Sequence, residues 1–329
     1  MKYRKIGKTD ISASAVGIGT WAIGGGELWS GSDDAQSIRA LHAAVDSGIN
    51  LIDTAPGYGF GHSEEVVGKA IKEIGRDKIV LSTKCGIWWK TQRGTYFNTR
   101  DGISTYKCVD AETIRIEIED SLTRLGTDYI DIYHTHWQST PPYITPVSET
   151  MGALLDLQKQ GKIRAIAVSN ADTKCMDEYF ACGRIEACQP GYSMLNRKIE
   201  KDILPYAMGH DMSVLAYSPL ERGLLTGKIT MDTKVDMAQD MMPWMKPQNR
   251  ARVIAMLDGW KDLTEKYGCT MAQLVIAWTI SQPGLTHVLC GARKEKNAME
   301  NAAAGSIELS AEDITAMRAA VEALGEPVV

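Results

Sequence analysis

The chain has 329 residues, 44% apolar and 23% charged, with a formal net charge of -5, a globular composition that suits one large barrel or two ordinary domains. The acidic balance and the lack of any Lys/Arg run argue against a nucleic-acid partner, and no apolar stretch approaches the roughly 20 residues that span a bilayer. The charged start Met1-Lys2-Tyr3-Arg4-Lys5 has no signal-peptide core behind it, and seven cysteines without CxxC or metal spacing fit reduced thiols in the cytoplasm.

Residues 2–13 read as a hairpin. Residues 16–19 are a short apolar run, followed by a helical pattern over 33–46 that stops at Gly48. Residues 50–52 precede a helix over 63–74, with Ser63 as the expected N-cap and Gly75 as the stop. Residues 79–83 precede a helix over 110–125, capped by Asp110 and ended by Gly126. The pairs 130–133 with 148–160, 165–169 with 173–180, and 187–189 with 200–208 continue the pattern. Residues 213–217 precede a helix over 250–267, and 287–289 precede one over 295–304. Residues 310–324 form a last amphipathic helix, capped by Ser310 with Asp313 behind it.

Eight strand–helix units imply a parallel sheet with helical crossovers. A doubly wound dinucleotide domain would need GxGxxG at its first turn. Gly17-Ile18-Gly19 and Gly24-Gly25-Gly26 come close, but no glycine-opened helix follows, so they read as loop. The fold class is α/β: a (β/α)8 TIM barrel over residues 1–329 as one domain, its bottom closed by the hairpin and its end carrying an extra helix. The long loops 85–109, 137–147 and 218–249 read as functional.

Asp53, Lys84, His134 and His136 lie at or just beyond the ends of three successive strands, and Tyr58 follows Asp53 in a glycine-flanked loop. In a parallel barrel those ends share one face. Reducing a carbonyl needs a hydride donor and an acid for the oxygen. A free tyrosine has a pKa of about 10. A neighbouring ammonium lowers it by stabilising phenolate, and a carboxylate keeps that ammonium charged and aimed. Each such proton-transfer element is worth roughly 10²–10⁴ in rate. Singly, Asp53 reads as a loop cap, Tyr58 as packing and His134 as structural; together they read as a site. Cys85 reads as a small buried hydrophobe.

The segment Asp53-Thr54-Ala55-x-x-Tyr58-Gly59-x-Gly61-x-Ser63-Glu64, Lys84, and Asp128-Tyr129-Ile130-Asp131-Ile132-Tyr133-x-x-His136-Trp137 together resemble the signatures of the aldo-keto reductase superfamily. The likeness covers nearly the whole chain, and Gly223-Leu224-Leu225-Thr226-Gly227-Lys228 is similar to its bacterial sugar- and polyol-aldehyde reductases. The resemblance implies NAD(P)H-dependent reduction of an aldehyde or ketone to an alcohol, with Tyr58, Lys84, Asp53 and His136 as the catalytic tetrad; it selects His136 over His134. It implies no metal. It further assigns Thr20 and Trp21 to the cofactor site, and Ser169, Asn170 and Gln189 to the nicotinamide carboxamide. Tyr217, Ser218 and Leu220 become the stacking and pyrophosphate segment. Gly223, Leu225, Gly227 and Lys228 become a loop over the dinucleotide, and Gly291, Arg293, Asn297, Glu300 and Asn301 its adenosine end. An aromatic face and a helix N-terminus suit those ligand parts. Many NADPH-specific relatives carry a basic residue where this chain has Asn297. Arg293 and Lys294 still offer a grip on a 2′-phosphate, so NADPH is favoured and NADH stays open.

Trp21, Trp29, Trp88, Trp89 and Trp137 crowd the loops of a chain with only three phenylalanines. Indole faces suit sugar or polyol carbons. Lys90, Arg93, Arg100 and Lys107 in loop 85–109 offer charge for an anionic group. The expected partner is thus a small carbonyl compound, with a homo-oligomer left open. Two other readings stand: a slow, NADPH-binding, redox-sensing regulatory subunit of the same fold, and an aldolase-like barrel using Lys84 as a Schiff-base lysine.

Overall fold

Short aliphatic runs buried on both faces become parallel strands covered by helices. The computed structural model describes residues 1–328. Its barrel strands are β1 (Val16–Gly19), β2 (Leu51–Asp53), β3 (Val80–Cys85), β4 (Ile130–Thr135), β5 (Ile163–Ser169), β6 (Ala187–Gln189), β7 (Ser213–Tyr217) and β8 (His287–Gly291). All neighbours pair in parallel, β8 pairs with β1, and the barrel closes.

The antiparallel hairpin Tyr3–Lys5/Ser12–Ser14 closes the bottom. Its loop sends Ile6 and Ile11 against the inward residues Leu51, Val80, Ile132, Ala165 and Leu215. With that end plugged, the open end is the one where the strands finish. The larger core lies between strands and outer helices, and a third cluster packs Trp244, Trp260 and Trp278 beneath the long segment after β7.

Four local expectations are corrected. The helix after β2 starts at His62, with left-handed Gly61 (φ 98°) in the cap position. Ser63 lies inside it and donates to Thr20 Oγ1 at 2.8 Å. The pattern at 250–267 is two helices, Pro247–Asp258 and Lys261–Lys266, separated at Gly259-Trp260. A further helix, Met271–Ile280, precedes β8 and opens with a capping box of Thr270 and Gln273. Loop 85–109 holds a three-stranded antiparallel sheet, with Ile103–Lys107 between Ile87–Trp88 and Thr95–Arg100. Its tight turn uses Asp101 (φ 47°) and Gly102 (φ 74°), as a primed hairpin turn requires. The final helix Ala311–Leu324 is capped by Ser310 as expected. Among the described residues, no helix is long and apolar enough to cross a membrane.

Candidate active site

Side chains alternate along a strand, so Ser82 and Lys84 on β3, with His134 on the adjacent β4, point into the barrel together. Lys84 is fully buried. Its Nζ donates to Asp53 Oδ1 at 2.7 Å and to the Thr54 carbonyl at 2.8 Å. The other Asp53 oxygen accepts from Ser82 Oγ at 2.7 Å and Gln189 Nε2 at 2.9 Å. His134 Nε2 lies 3.1 Å from Ser82 Oγ. A buried ion pair survives only when its remaining polar atoms are also bonded, and this one meets that condition.

Tyr58 lies above the pair. Lys84 Nζ is 5.1 Å from its ring centroid, the His136 ring meets it edge-on at 5.7 Å, and Trp21 lies at 6.5 Å. The loop that carries Tyr58 is pressed against Gly24: a Cβ there would sit 2.6 Å from the Tyr58 carbonyl carbon. The glycine run that reads as plain loop is therefore the bed on which the tyrosine rests.

Burial sets the proton affinities. It pushes the Tyr58 phenol well above its ordinary value, with Asp53 and Tyr217 adding to the effect. The sequence expectation was the reverse, a phenol lowered by Lys84. The Lys84 ammonium gives its bonds to Asp53 and Thr54 and faces the ring, and burial of the phenol is what dominates its shift. Burial lowers Lys84 itself, opposed by Asp53. His136 falls well below the usual imidazole range through burial, then Lys84 and His134. Burial likewise pushes His134 down to about 3. The site thus presents a neutral phenol and neutral imidazoles around one buried ammonium.

Asn170 (φ 53°) follows β5. Its Nδ2 donates to the His136 carbonyl at 2.9 Å and to Ser169 Oγ at 3.1 Å, and its Oδ1 accepts from Tyr217 at 2.9 Å. Ser169 Oγ donates to the Gln189 carbonyl at 2.8 Å. These residues form one rim, whereas the Gln189 side chain turns down to Asp53. Thr20 is buried and donates to the Asp53 carbonyl at 3.0 Å. Ser218 (φ 58°) and Arg222-Gly223 (φ 54° and 102°) bend the chain after β7. Leu220 is half-buried, and Leu225 faces the core under that segment. Gly227 is exposed, and Lys228 pairs with Glu300 at 2.8 Å. Arg293 donates to the Ser30 carbonyl at 2.6 Å, and Asn301 to that of Gly291 at 3.3 Å. Asn297 is half-buried in the first turn of the helix Glu295–Ala304. Gly19 and Gly291 end adjacent strands in register. No side chain rises from either, and a Cβ at Gly19 or Gly291 would meet nothing nearer than 3.8 Å, so the backbone here is open to close approach by a dinucleotide. Among the described residues, no cluster of His, Cys, Asp or Glu is placed to hold a metal ion.

The tryptophans divide. Trp21 meets Trp29 edge-on at 5.4 Å beside Tyr58. Trp89 packs on Phe60 at 5.9 Å and Trp137 on Phe97 at 5.5 Å. Trp88 is only 5% exposed and bonds Thr91 Oγ1 at 2.8 Å, so it packs inside the loop sheet and offers no open face. Two residues escaped the sequence reading. Ser82 was detectable as the inward position two before Lys84. Arg222, whose guanidinium lies 4.8 Å over Trp21, gave no local signal.

The sequence profile of the Aldo/keto reductase family matches residues 15–322. The NADH-specific methylglyoxal reductase of Escherichia coli is 46% identical over 325 residues, 98% of this chain and 99% of that protein. The glycerol dehydrogenase AKR11B4 from Gluconobacter oxydans superposes with a TM-score of 0.86 at 36% identity, covering 99% of this chain and 97% of the other. An aldo-keto reductase from Klebsiella pneumoniae in complex with NADPH gives 0.73 at 30% identity, covering 96% and 94%. The chain belongs to the aldo/keto reductase family.

Proposed function

We propose that this aldo-keto reductase reduces short aldehydes or ketones bearing a second oxygen on the neighbouring carbon, with NADH as hydride source and Tyr58 as acid. The observation that carries the reading is the buried Lys84 ammonium, held by Asp53 and Thr54 and facing the Tyr58 ring. Bound nicotinamide supplies the hydride. Asn170 and Tyr217 would hold its ring end. Tyr58 gives its proton to the substrate oxygen as negative charge develops there. His136, kept neutral, donates a second hydrogen bond to that oxygen. Lys84 stabilises the phenolate left behind, and Asp53 keeps Lys84 charged and aimed.

NADH is preferred in this reading because Arg293 is already bonded to Ser30 and position 297 carries no charge. The Ser30 bond takes one Nη1 hydrogen of Arg293 and holds the guanidinium toward that carbonyl, so a 2′-phosphate would have only its remaining N–H groups. The names of two relatives, a methylglyoxal reductase and a glycerol dehydrogenase, both concern three-carbon compounds with adjacent oxygens. The half-buried Trp21 beside Tyr58 suits their carbon faces, while Trp29 is buried behind it.

Steady-state reduction of methylglyoxal and D-glyceraldehyde with each nicotinamide tests the proposal. NADH should give the higher kcat/KM by about tenfold or more, about 1.4 kcal/mol. Tyr58→Phe should lower kcat by roughly 10²–10⁴ while NADH quenching of tryptophan fluorescence is kept. Wild-type kcat in that variant refutes Tyr58 as the acid, and an NADPH preference refutes the cofactor assignment.

A further inference from the structure

Loop 85–109 carries four basic side chains, and the structure gives them different employment. Lys90 pairs with Asp120 at 2.5 Å, and Arg93 pairs with Asp110 at 2.6 Å and with Glu112. Arg100 flanks the turn at the hairpin tip, where Asp101 accepts from the Glu27 amide at 3.1 Å. Lys107 lies at the other end of the hairpin. Among the described residues, no carboxylate is within ion-pair distance of its ammonium. Lys107 Nζ lies instead 4.7 Å from the Trp137 ring centroid and 4.9 Å from that of Phe97, rings 5.5 Å apart.

This arrangement is not that of a free surface lysine. Lys107 ends the central strand of the loop sheet, and its backbone is laddered to Ile87 on one side and Thr95 on the other. The side chain is half-buried, and that burial lowers its proton affinity. Aromatic faces favour a cation by roughly 0.5–2 kcal/mol, too little to replace a full counter-ion in a partly desolvated place. Trp137 immediately follows His136. Both residues lie just past the end of the barrel strand Ile130–Thr135, so the ammonium over Trp137 is at the strand-end side of the barrel, as the imidazole is.

We propose that Lys107 is a specificity-determining residue whose ammonium, framed by Phe97 and Trp137, pairs with an oxyanion at the end of the carbonyl substrate remote from the reacting carbon. The oxyanion is a phosphate or a carboxylate. The inference rests on the reading of Tyr58 as acid toward short oxygenated carbonyls and narrows its substrates. The competing account is that the lysine stem merely covers two aromatic rings.

The test compares kcat/KM for D-glyceraldehyde 3-phosphate, a three-carbon aldehyde acid and neutral D-glyceraldehyde, each with NADH and NADPH. The enzymes are the wild type, Lys107→Met and Lys107→Arg. Methionine keeps the apolar stem between the rings and removes the charge. The wild type should favour at least one anionic substrate by about tenfold, about 1.4 kcal/mol, mostly through KM. Lys107→Met should bring that ratio to near one and Lys107→Arg should keep it. Added salt should shrink the ratio in the wild type and leave it unchanged in Lys107→Met. The anion showing the Lys107-dependent ratio identifies the group. A wild-type ratio of one, or the same ratio in wild type and Lys107→Met, overturns the proposal. If Lys107→Met unfolds, Lys107→Gln decides by the same ratio. Turnover of none of the three aldehydes with either nicotinamide would instead sink the reductase reading itself.

Discussion

Replacing Gly24 by alanine tests whether the tyrosine loop is held by backbone contact. An ideal Cβ at Gly24 meets the Tyr58 carbonyl carbon at 2.6 Å, the Gly59 nitrogen at 2.8 Å and the Tyr58 oxygen at 2.9 Å. All three are main-chain atoms, so no side chain can swing aside. Gly24 is not among the glycines with positive φ, so the added methyl acts by bulk alone. Ordinary contact begins at 3.4 Å, against 2.6 Å here, a deficit of 0.8 Å. The loop must retreat by about that much, and a misplacement of about 1 Å at a reacting group costs about 10²-fold in rate. Overpacking of this kind also costs about 1–3 kcal/mol of stability. Gly24→Ala should therefore lower kcat by about 10²-fold and Tm by a few degrees. Gly152→Ala is the control, since a Cβ there meets nothing within 4 Å. Wild-type kcat in folded Gly24→Ala would refute the idea that this contact aims Tyr58.

Two further outcomes follow from the buried charges. Asp131 is 1% exposed, and it accepts from Arg76 at 2.7 Å, the Leu81 amide at 2.9 Å and Arg164 at 2.6 Å. Asp131→Ala should cost about 3–5 kcal/mol in denaturant unfolding while folded enzyme keeps its kcat; a loss under about 1 kcal/mol would refute the network's role. Burial holds His134 at about 3 and His287 at about 4, against about 6.5 when unfolded. Between those limits the unfolded chain binds more protons, so stability should fall as pH drops from about 6.5 toward 4, by up to about 1.4 kcal/mol per unit per histidine. A denaturation midpoint that stays flat across that window would contradict it.

What the sequence made legible followed from periodicity and strand ends. The eight strands, the bottom hairpin, the Asp110 cap and the convergence of Asp53, Lys84 and His136 were all readable from apolar runs and their punctuation. Met271–Ile280 was missed because its ten residues are apolar almost all round, and without a polar face a buried helix shows no 3.6-residue period. Its signal was the Thr270/Gln273 box. The loop sheet was missed because Thr95–Arg100 and Ile103–Lys107 are polar strands on a rim, although Asp101-Gly102 marked the turn. Trp88 was assigned to the mouth because composition counts indoles without saying which way they point. The direction of the Tyr58 shift is set first by how deeply the phenol is buried, which no spacing encodes.

The two faces of β3 show how the Asp53–Lys84 pair is braced. Its inward residues, Ser82 and Lys84, bind Asp53. Its outward residues are tied just as firmly: Thr83 donates to buried Glu64 at 2.6 Å, and Glu64 is paired with Arg124 at 2.7 Å. One residue past the strand, the Gly86 amide donates to buried Glu117 at 2.9 Å. A strand bonded on both faces has no free direction in which Lys84 can drift. Holding groups within about 0.5 Å is what a site built on preorganised charge requires, and rigid elements do this better than loops. Tyr58 lies on a loop, held by backbone bonds to Ala55 and Ser63 at 3.1 Å each and by the close approach of Gly24 and Gly59. The strand residues should therefore tolerate conservative change better than those glycines do, the inverse of what side-chain chemistry alone would suggest.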